Sequence, residues 1–336
     1  MKNLTAPLAS PVLVTGATGN VGGSMITRLL ADGCEVRALV RSSARAADLL
    51  PAGVHLVEGD VTDPASLATA VDGAATVIHA AGLPEQWSRD PSIFENVNVR
   101  GTVNIADAAM TAGVDCFVHV STIDVFTWSP GQPFAEYIDP HPKHTAYERS
   151  KQQADRLVLE RIEHGLPARI VCPAGVFGPA PTVTPGFNQL LNDLLHNAIP
   201  MLLPGGLPSV FNGDCADGIV RVGNSDIGTQ AILSGPYMTL REIAEMVHEL
   251  TGTTKIPKIL PSWFAHLVSR AGEQRARWTN KPPLIPEGQL HFLEEHVVPN
   301  STYARESLGW KSTPMGEAVQ RTLDWLSSRP SNSAPD

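Results

Sequence analysis

PVLVTGATGNVGGSMITRLLADG (11–33) is the stretch that decides the fold. A β-branched run, PVLVTGA (11–17), enters a glycine-rich loop, TGATGNVGG (15–23), and leaves in helical spacing as GSMITRLLADG (23–33). Strand, tight loop and helix in that order aim backbone N–H groups and a helix N-terminus at a pyrophosphate. Gly16, Gly19 and Gly22 give the form GxxGxxG and not GxGxxG. A glycine triplet by itself is a common turn; the strand before it and the helix after it make it a dinucleotide loop.

The unit recurs along the chain. EVRALVR (35–41), HLVEGDV (55–61), TVIHAAG (76–82), CFVHVST (116–122) and ARIVCPAG (168–175) are nearly continuous apolar runs, as strands covered on both faces require. Between them SLATAVDG (66–73), NVRGTVNIADAAMTAG (98–113) and YERSKQQADRLVLERIEHG (147–165) have helical spacing and a terminal glycine. Serial βαβ units predict an α/β fold, a Rossmann doubly wound parallel sheet. After Gly178 the chain turns Pro- and Gly-rich, with helices at 187–197, 239–252 and 315–329 and a strand at 231–235. The expected division is a dinucleotide-binding domain of 9–178 and 207–236, a smaller C-terminal substrate-binding lobe of 179–206 and 237–328, and a disordered tail at 329–336.

Composition narrows the partners. The 336 residues hold 25 Lys+Arg against 34 Asp+Glu, a net −9, so a nucleic acid partner is not expected. No apolar run approaches the roughly 18 residues of a span, so no membrane partner is expected either. The N-terminus lacks a signal-peptide pattern, and Cys34, Cys116, Cys172 and Cys215 are scattered, so reduced packing thiols and a cytoplasmic location are expected. A homodimer is an allowed assembly.

Cofactor choice is read at the end of the second strand, where an NAD site ordinarily carries an acid for the ribose hydroxyls. Here Arg41 stands there, followed by Ser42 and Ser43. Arg41, assisted by Arg45 or Arg37, suits a 2′-phosphate, so NADP(H) is favoured over NAD(H). Asp60, ending the third strand, either meets the adenine or caps a turn.

Tyr147-x-x-x-Lys151 opens a helix with both side chains on one face, and the ammonium is expected to draw the phenol pKa down. Ser121 and Thr122 close a buried strand, where a hydroxyl meets a substrate oxygen. Asn98 opens a helix, where its amide holds a backbone kink or a water.

Together these residues resemble the extended short-chain dehydrogenase/reductases. The likeness covers nearly the whole chain: TGATGNVG, GDVTD (59–63), HAAG (79–82), NVRGT (98–102), VSTIDVF (120–126), YERSK (147–151), PAGVFGP (173–179), FNGDCADGI (211–219) and YARESLGW (303–310). It implies Tyr147 as acid/base, Lys151 on the nicotinamide ribose, Thr122 as the substrate hydroxyl with Ser121 as fallback, and Asn98 in support. It implies a cofactor site of Gly16, Thr18, Gly19, Asn20, Val21, Gly22, Arg41, Asp60, Val61, Ala80, Ala81, Tyr147, Lys151, Pro173 and Val176. Cys172 departs from the Arg-Pro of many relatives.

The resemblance leaves the reaction open between NADP-linked ketone or aldehyde reductases, similar to dihydroflavonol reductase and 3β-hydroxysteroid dehydrogenase, and nucleotide-sugar epimerases or dehydratases that retain NAD. The second branch needs cations near 200–215, and PMLLPGGLPSVFNGDCAD has none. Reduction of a mostly apolar carbonyl compound, or oxidation of its alcohol, is therefore expected, with Trp87, Phe94, Phe177 and Phe187 as an apolar wall beside Thr122. A non-catalytic redox-sensing binder would not need Thr122, Tyr147 and Lys151 together. His141 and His144 complete no metal pattern, and His291 and His296, near Glu294 and Glu295, read as a solvated helix face. No metal is expected.

Overall fold

Seven of the apolar runs form one all-parallel sheet: β1 (Val12–Thr15), β2 (Val36–Val40), β3 (Val54–Glu58), β4 (Thr76–His79), β5 (Cys116–Val120), β6 (Ala168–Pro173) and β7 (Gln230–Leu233). The computed structural model describes residues 2–84, 87–138, 141–183, 185–279, 283 and 286–329. Strand order is β3-β2-β1-β4-β5-β6-β7, so the direction of winding reverses between β1 and β4. Ligands of such sheets sit at that reversal, beyond the carboxyl ends of the strands. β1, β4, β5 and β6 are buried along their whole length, which is why their sequences do not alternate.

Helices cover both faces. Asn20–Ala31 packs against Asn212–Gly223 on one side, and Gly101–Ala112 packs between Pro64–Val71 and Ala146–Glu163 on the other. Ala146–Glu163 begins with a capping box: Thr145 Oγ1 accepts from Glu148 N (3.1 Å) and Glu148 Oε2 accepts from Thr145 N (2.7 Å).

The second lobe has its own core, with Phe177, Phe187, Leu191, Leu240, Ile243, Val247 and Leu323 packed together. A three-stranded sheet of Gly175–Phe177, Gly206–Phe211 and Tyr237–Thr239 underlies it. Chain return to the large sheet therefore begins with helix Asn212–Gly223, not at residue 207. Trp310 of YARESLGW belongs to the core of the large sheet, its indole donating to Asp214 O at 2.8 Å. The stretch 253–314, read in the sequence as Pro-rich with a helix face only around His291, holds helices Ser262–Thr279, Glu287–Glu294 and Thr302–Ser307. Arg329 bonds the carbonyls of Ala180 and Pro181, and the rest of the expected tail lies outside the described residues.

Candidate active site

The glycine loop is shaped to meet a pyrophosphate. Gly16 has φ +67°, and a side chain there would press on the Ala80 carbonyl at 2.5 Å. A Cβ on Gly22 would collide with the Gly16 carbonyl, so the first turn of the helix lies directly on the loop. The helix starts at Gly19 with no side-chain cap, leaving its first N–H groups for an anion. Val21 is half-buried in that first turn, and Thr18 is half-buried in the loop. Asn20 points the other way: its Nδ2 donates to Val176 O (3.0 Å), and Asn212 Nδ2 donates to Asn20 Oδ1 (2.9 Å). Asn20 thus fastens the loop to the second lobe. Asn212, its buried partner, lies in the FNGDCADGI motif but was not among the expected site residues.

A buried polar chain runs from this loop to helix Ala146–Glu163. Thr15 Oγ1 accepts from Ala81 N (3.1 Å) and meets His79 Nδ1 (2.8 Å). His79 Nε2 meets Thr102 Oγ1 (3.0 Å), which donates to Asn98 O (2.6 Å). Burial first, then His119 and Lys151, hold His79 well below its ordinary pKa. The neutral ring has one donor and one acceptor, so the network fixes its tautomer. Asn98 lies in the π-helical turn Glu95–Arg100; its Oδ1 accepts from Leu83 N (2.8 Å) and its Nδ2 donates to Ser150 Oγ (3.0 Å). Ser150 donates to the Tyr147 carbonyl (2.7 Å). Asn98 therefore holds the kink and positions the helix, and it makes no bond to the Tyr147 hydroxyl.

The end of β5 separates the two candidate hydroxyls. Ser121 Oγ donates to Asp155 Oδ2 (2.8 Å), and His119 Nε2 meets Asp155 Oδ1 (3.1 Å), both within the interior. Ser121 is thereby spent. Thr122 is near enough to the Tyr147 phenol to draw its pKa down, and its Oγ1 accepts from Asp124 N at 3.3 Å. Lys151 Nζ donates to Val120 O (3.0 Å); burial draws its pKa down, opposed first by Asp155.

Two features depart from expectation. The Tyr147 phenol is raised, not lowered: burial dominates, and Asp124 adds a like charge that outweighs the Thr122 hydrogen bond. Asp124 is a site residue that the sequence reading missed. Its carboxyl is pushed up to about 7 by burial, then by Glu148, although Lys143 and the Thr122 hydroxyl pull the other way.

At the adenine end, Arg41 is exposed, and Glu58 Oε1 takes the Ser43 N–H at 2.8 Å. Asp60 caps a turn: its Oδ1 accepts from both the N–H and the hydroxyl of Thr62, each at 2.8 Å. Val61 lies buried under Gly101, and its carbonyl accepts from Asn104 (2.9 Å). Ala80 and Ala81 follow β4 over the loop, and Pro173 ends β6 beside Leu233. Cys172 is fully buried, its thiol accepting from Gln230 at 3.6 Å.

Only part of the expected apolar wall stands at the site. Phe94 meets the Tyr147 ring edge-on at 6.4 Å. A cavity of about 500 Å³ is lined by Trp87, Ser88, Arg89, Pro91, Phe94, Ala146 and Glu273. Phe177 and Phe187 are a correction: they stack on each other at 4.5 Å inside the lobe's core, where packing buries both rings. His144 meets His291 edge-on, His291 pairs with Glu295 (2.8 Å), and His296 stacks on Tyr237. Among the described residues no three His, Cys, Asp or Glu side chains cluster to hold a metal.

Comparison with known proteins assigns the class. Residues 12–228 match the NAD dependent epimerase/dehydratase family. The chain belongs to this family: it is an extended short-chain dehydrogenase/reductase, an oxidoreductase with an NAD-binding Rossmann domain. It is 31% identical to the mouse (Mus musculus) 3 beta-hydroxysteroid dehydrogenase type 7, over 94% of this chain and 95% of that protein. It is 26% identical to the sterol demethylase protein B of Methylococcus capsulatus, over 94% and 98% of the two chains. Among solved structures, that of gox2253 superposes with a TM-score of 0.81 at 29% identity, covering 94% of this chain and 97% of the other.

Proposed function

We propose that the protein interconverts a ketone or aldehyde and its alcohol on a mostly apolar small molecule, with NADP(H) preferred over NAD(H). The observation that carries this reading is the pair of hydroxyls, Thr122 and a protonated Tyr147, set against Phe94. Bound at the glycine loop, with Lys151 toward its ribose, the nicotinamide dinucleotide supplies or takes up the hydride. Thr122 and Tyr147 hydrogen-bond the substrate oxygen and stabilise negative charge as it develops there. Tyr147 delivers its proton to that oxygen, and the raised pKa keeps the proton available for reduction.

A nucleotide sugar is disfavoured by the cations. From Ile199 to Ile219 there is none. Arg221, the nearest beyond, is tied to Asp217 Oδ2 (2.5 Å) and to Leu308 O (3.0 Å), so a diphosphate would find no free partner there. Relatives named for steroids and sterols point the same way. Arg41 supports NADP(H), while Glu58 beside it narrows the margin to about tenfold in affinity. Titration of NADPH and NADH into wild type and Arg41→Ala checks this: equal affinities in the wild type contradict it.

The deciding experiment has two arms on purified protein. Cofactor consumption is measured on hydrophobic ketones and aldehydes, and melting temperature is measured with UDP- and dTDP-sugars. Consumption on apolar carbonyl compounds with no stabilisation by sugar nucleotides is expected. Stabilisation by a sugar nucleotide, with no net consumption across the panel, assigns the chain to the epimerase branch.

A further inference from the structure

Helix Ser262–Thr279 is built inside out. Its buried side carries small residues, Ala265, Ser269 and Ala276, with Gly272 half-buried between them. Its outer side carries large apolar ones: Trp263 is 71% exposed, Leu267 57%, Trp278 85% and Phe264 41%. At about 100° per residue, Trp263, Leu267 and Trp278 fall within an arc of about 60°, and Phe264 lies about 40° beyond it. Single exposed apolar residues are ordinary, but a stripe containing two tryptophans marks an interaction surface. The segment leading into the helix adds Ile256 and Ile259, and Met201, paired opposite Lys258, is exposed as well.

Charge says what covers the stripe. Between Thr253 and Pro286 the sequence holds six cations (Lys255, Lys258, Arg270, Arg275, Arg277 and Lys281) and one anion, Glu273. The chain as a whole carries −9, so the remainder carries −14 and this segment is a basic island. Lys255, Lys258 and Arg275 are exposed, and Arg270 shares one bond with Glu287 (3.2 Å). We propose that this helix seats the protein on the surface of a lipid bilayer with anionic headgroups. Tryptophan and leucine enter the boundary between headgroups and acyl chains, and flanking lysines and arginines meet the phosphates. A second copy docked on the same face would set cation against cation. No helix among the described residues is long and apolar enough to span a bilayer; lying on a surface is a different state, and it departs from the expectation of no membrane contact.

The position of the helix gives the contact a use. Glu273, on its inner edge, lines the cavity shared with Trp87, Phe94 and Ala146, so docking brings the cavity's rim to the lipid. Supply of substrate from the lipid phase rests on the apolar-substrate reading; the docking itself does not, and is tested without substrate.

The test is co-sedimentation of the full chain with phosphatidylcholine vesicles, with and without about 30 mol% phosphatidylglycerol. The wild type should bind the anionic vesicles at least about tenfold more tightly, and added salt should weaken the binding. The variant Trp263→Ser/Leu267→Ser/Trp278→Ser should lose at least about tenfold in binding at unchanged melting temperature and cofactor affinity. Brominated lipids should quench tryptophan emission in the wild type more than in the variant. Equal partition of wild type and variant, or no binding to either vesicle, overturns the proposal. So does a wild-type dimer that becomes monomeric in the variant, since the stripe would then belong to a second copy.

Discussion

Helices Ala146–Glu163 and Ser262–Thr279 are each 18 residues long, and they use their faces in opposite ways. The first buries polar side chains: Tyr147, Ser150, Lys151 and Asp155 all lie in the interior, and each has a partner there. The second buries alanine and serine and leaves tryptophan outside. Burying a carboxylate and an ammonium is costly unless each is bonded, so the first helix reveals a site through what it keeps inside. The second reveals a surface through what it leaves outside.

The largest effect expected from breaking the first helix is chemical. Tyr147→Phe should lower turnover by about 10²–10⁴ while melting temperature and cofactor affinity hold, since one oxygen carries the proton. Retained turnover would remove Tyr147 from the reaction. Next comes stability, where the two helices should separate most clearly. Asp155→Ala strips the buried His119 and Ser121 of their shared acceptor and should cost about 3 kcal/mol in urea unfolding. Trp278→Ala on the outer stripe should stay within about 0.5 kcal/mol. Similar costs for both would erase the contrast drawn here.

A third effect depends on pH. The fold raises the Asp124 carboxyl from 3.8 to about 7, chiefly by burial, so the folded state favours its protonated form. That stability is fully present below pH 3.8 and is lost as pH rises through about 7. Asp124→Asn stays neutral, so its melting temperature should gain on the wild type across that window and level off above it. A constant difference from pH 4 to 9 would show that Asp124 ionises freely. Smallest is the cap: Thr145→Ala should cost about 1 kcal/mol, measured by the same urea unfolding. No change would mean that the first turn is held by packing alone.

The large sheet and the glycine loop were legible because backbone geometry dictates residue type there. Gly16 and Gly22 stand where a side chain would strike backbone, and the runs of β1, β4, β5 and β6 are buried from end to end. The family pattern puts the hydroxyl on Thr122 with Ser121 as fallback, and the bond from Ser121 to Asp155 favours the same choice. What the chain folds back upon was not legible. Asp124 and Asp155 are ordinary acids in the sequence and become site residues only through burial. Phe177 and Phe187 suit a substrate wall or a core equally by type, and packing chose the core. Helix Ser262–Thr279 escaped notice because prolines flank it and its periodicity runs small-inward and large-outward, the reverse of the usual pattern.

Net reduction of an apolar carbonyl compound at Thr122 and Tyr147 is the reaction proposed for this site. It is tested most directly by the stoichiometry of wild type and Tyr147→Phe with a hydrophobic ketone and NADPH. One alcohol formed per NADPH consumed in the wild type, with both falling together in the variant at unchanged NADPH affinity, is the predicted result. An isomerised product with no net NADPH consumption, or equal turnover by Tyr147→Phe, would contradict it.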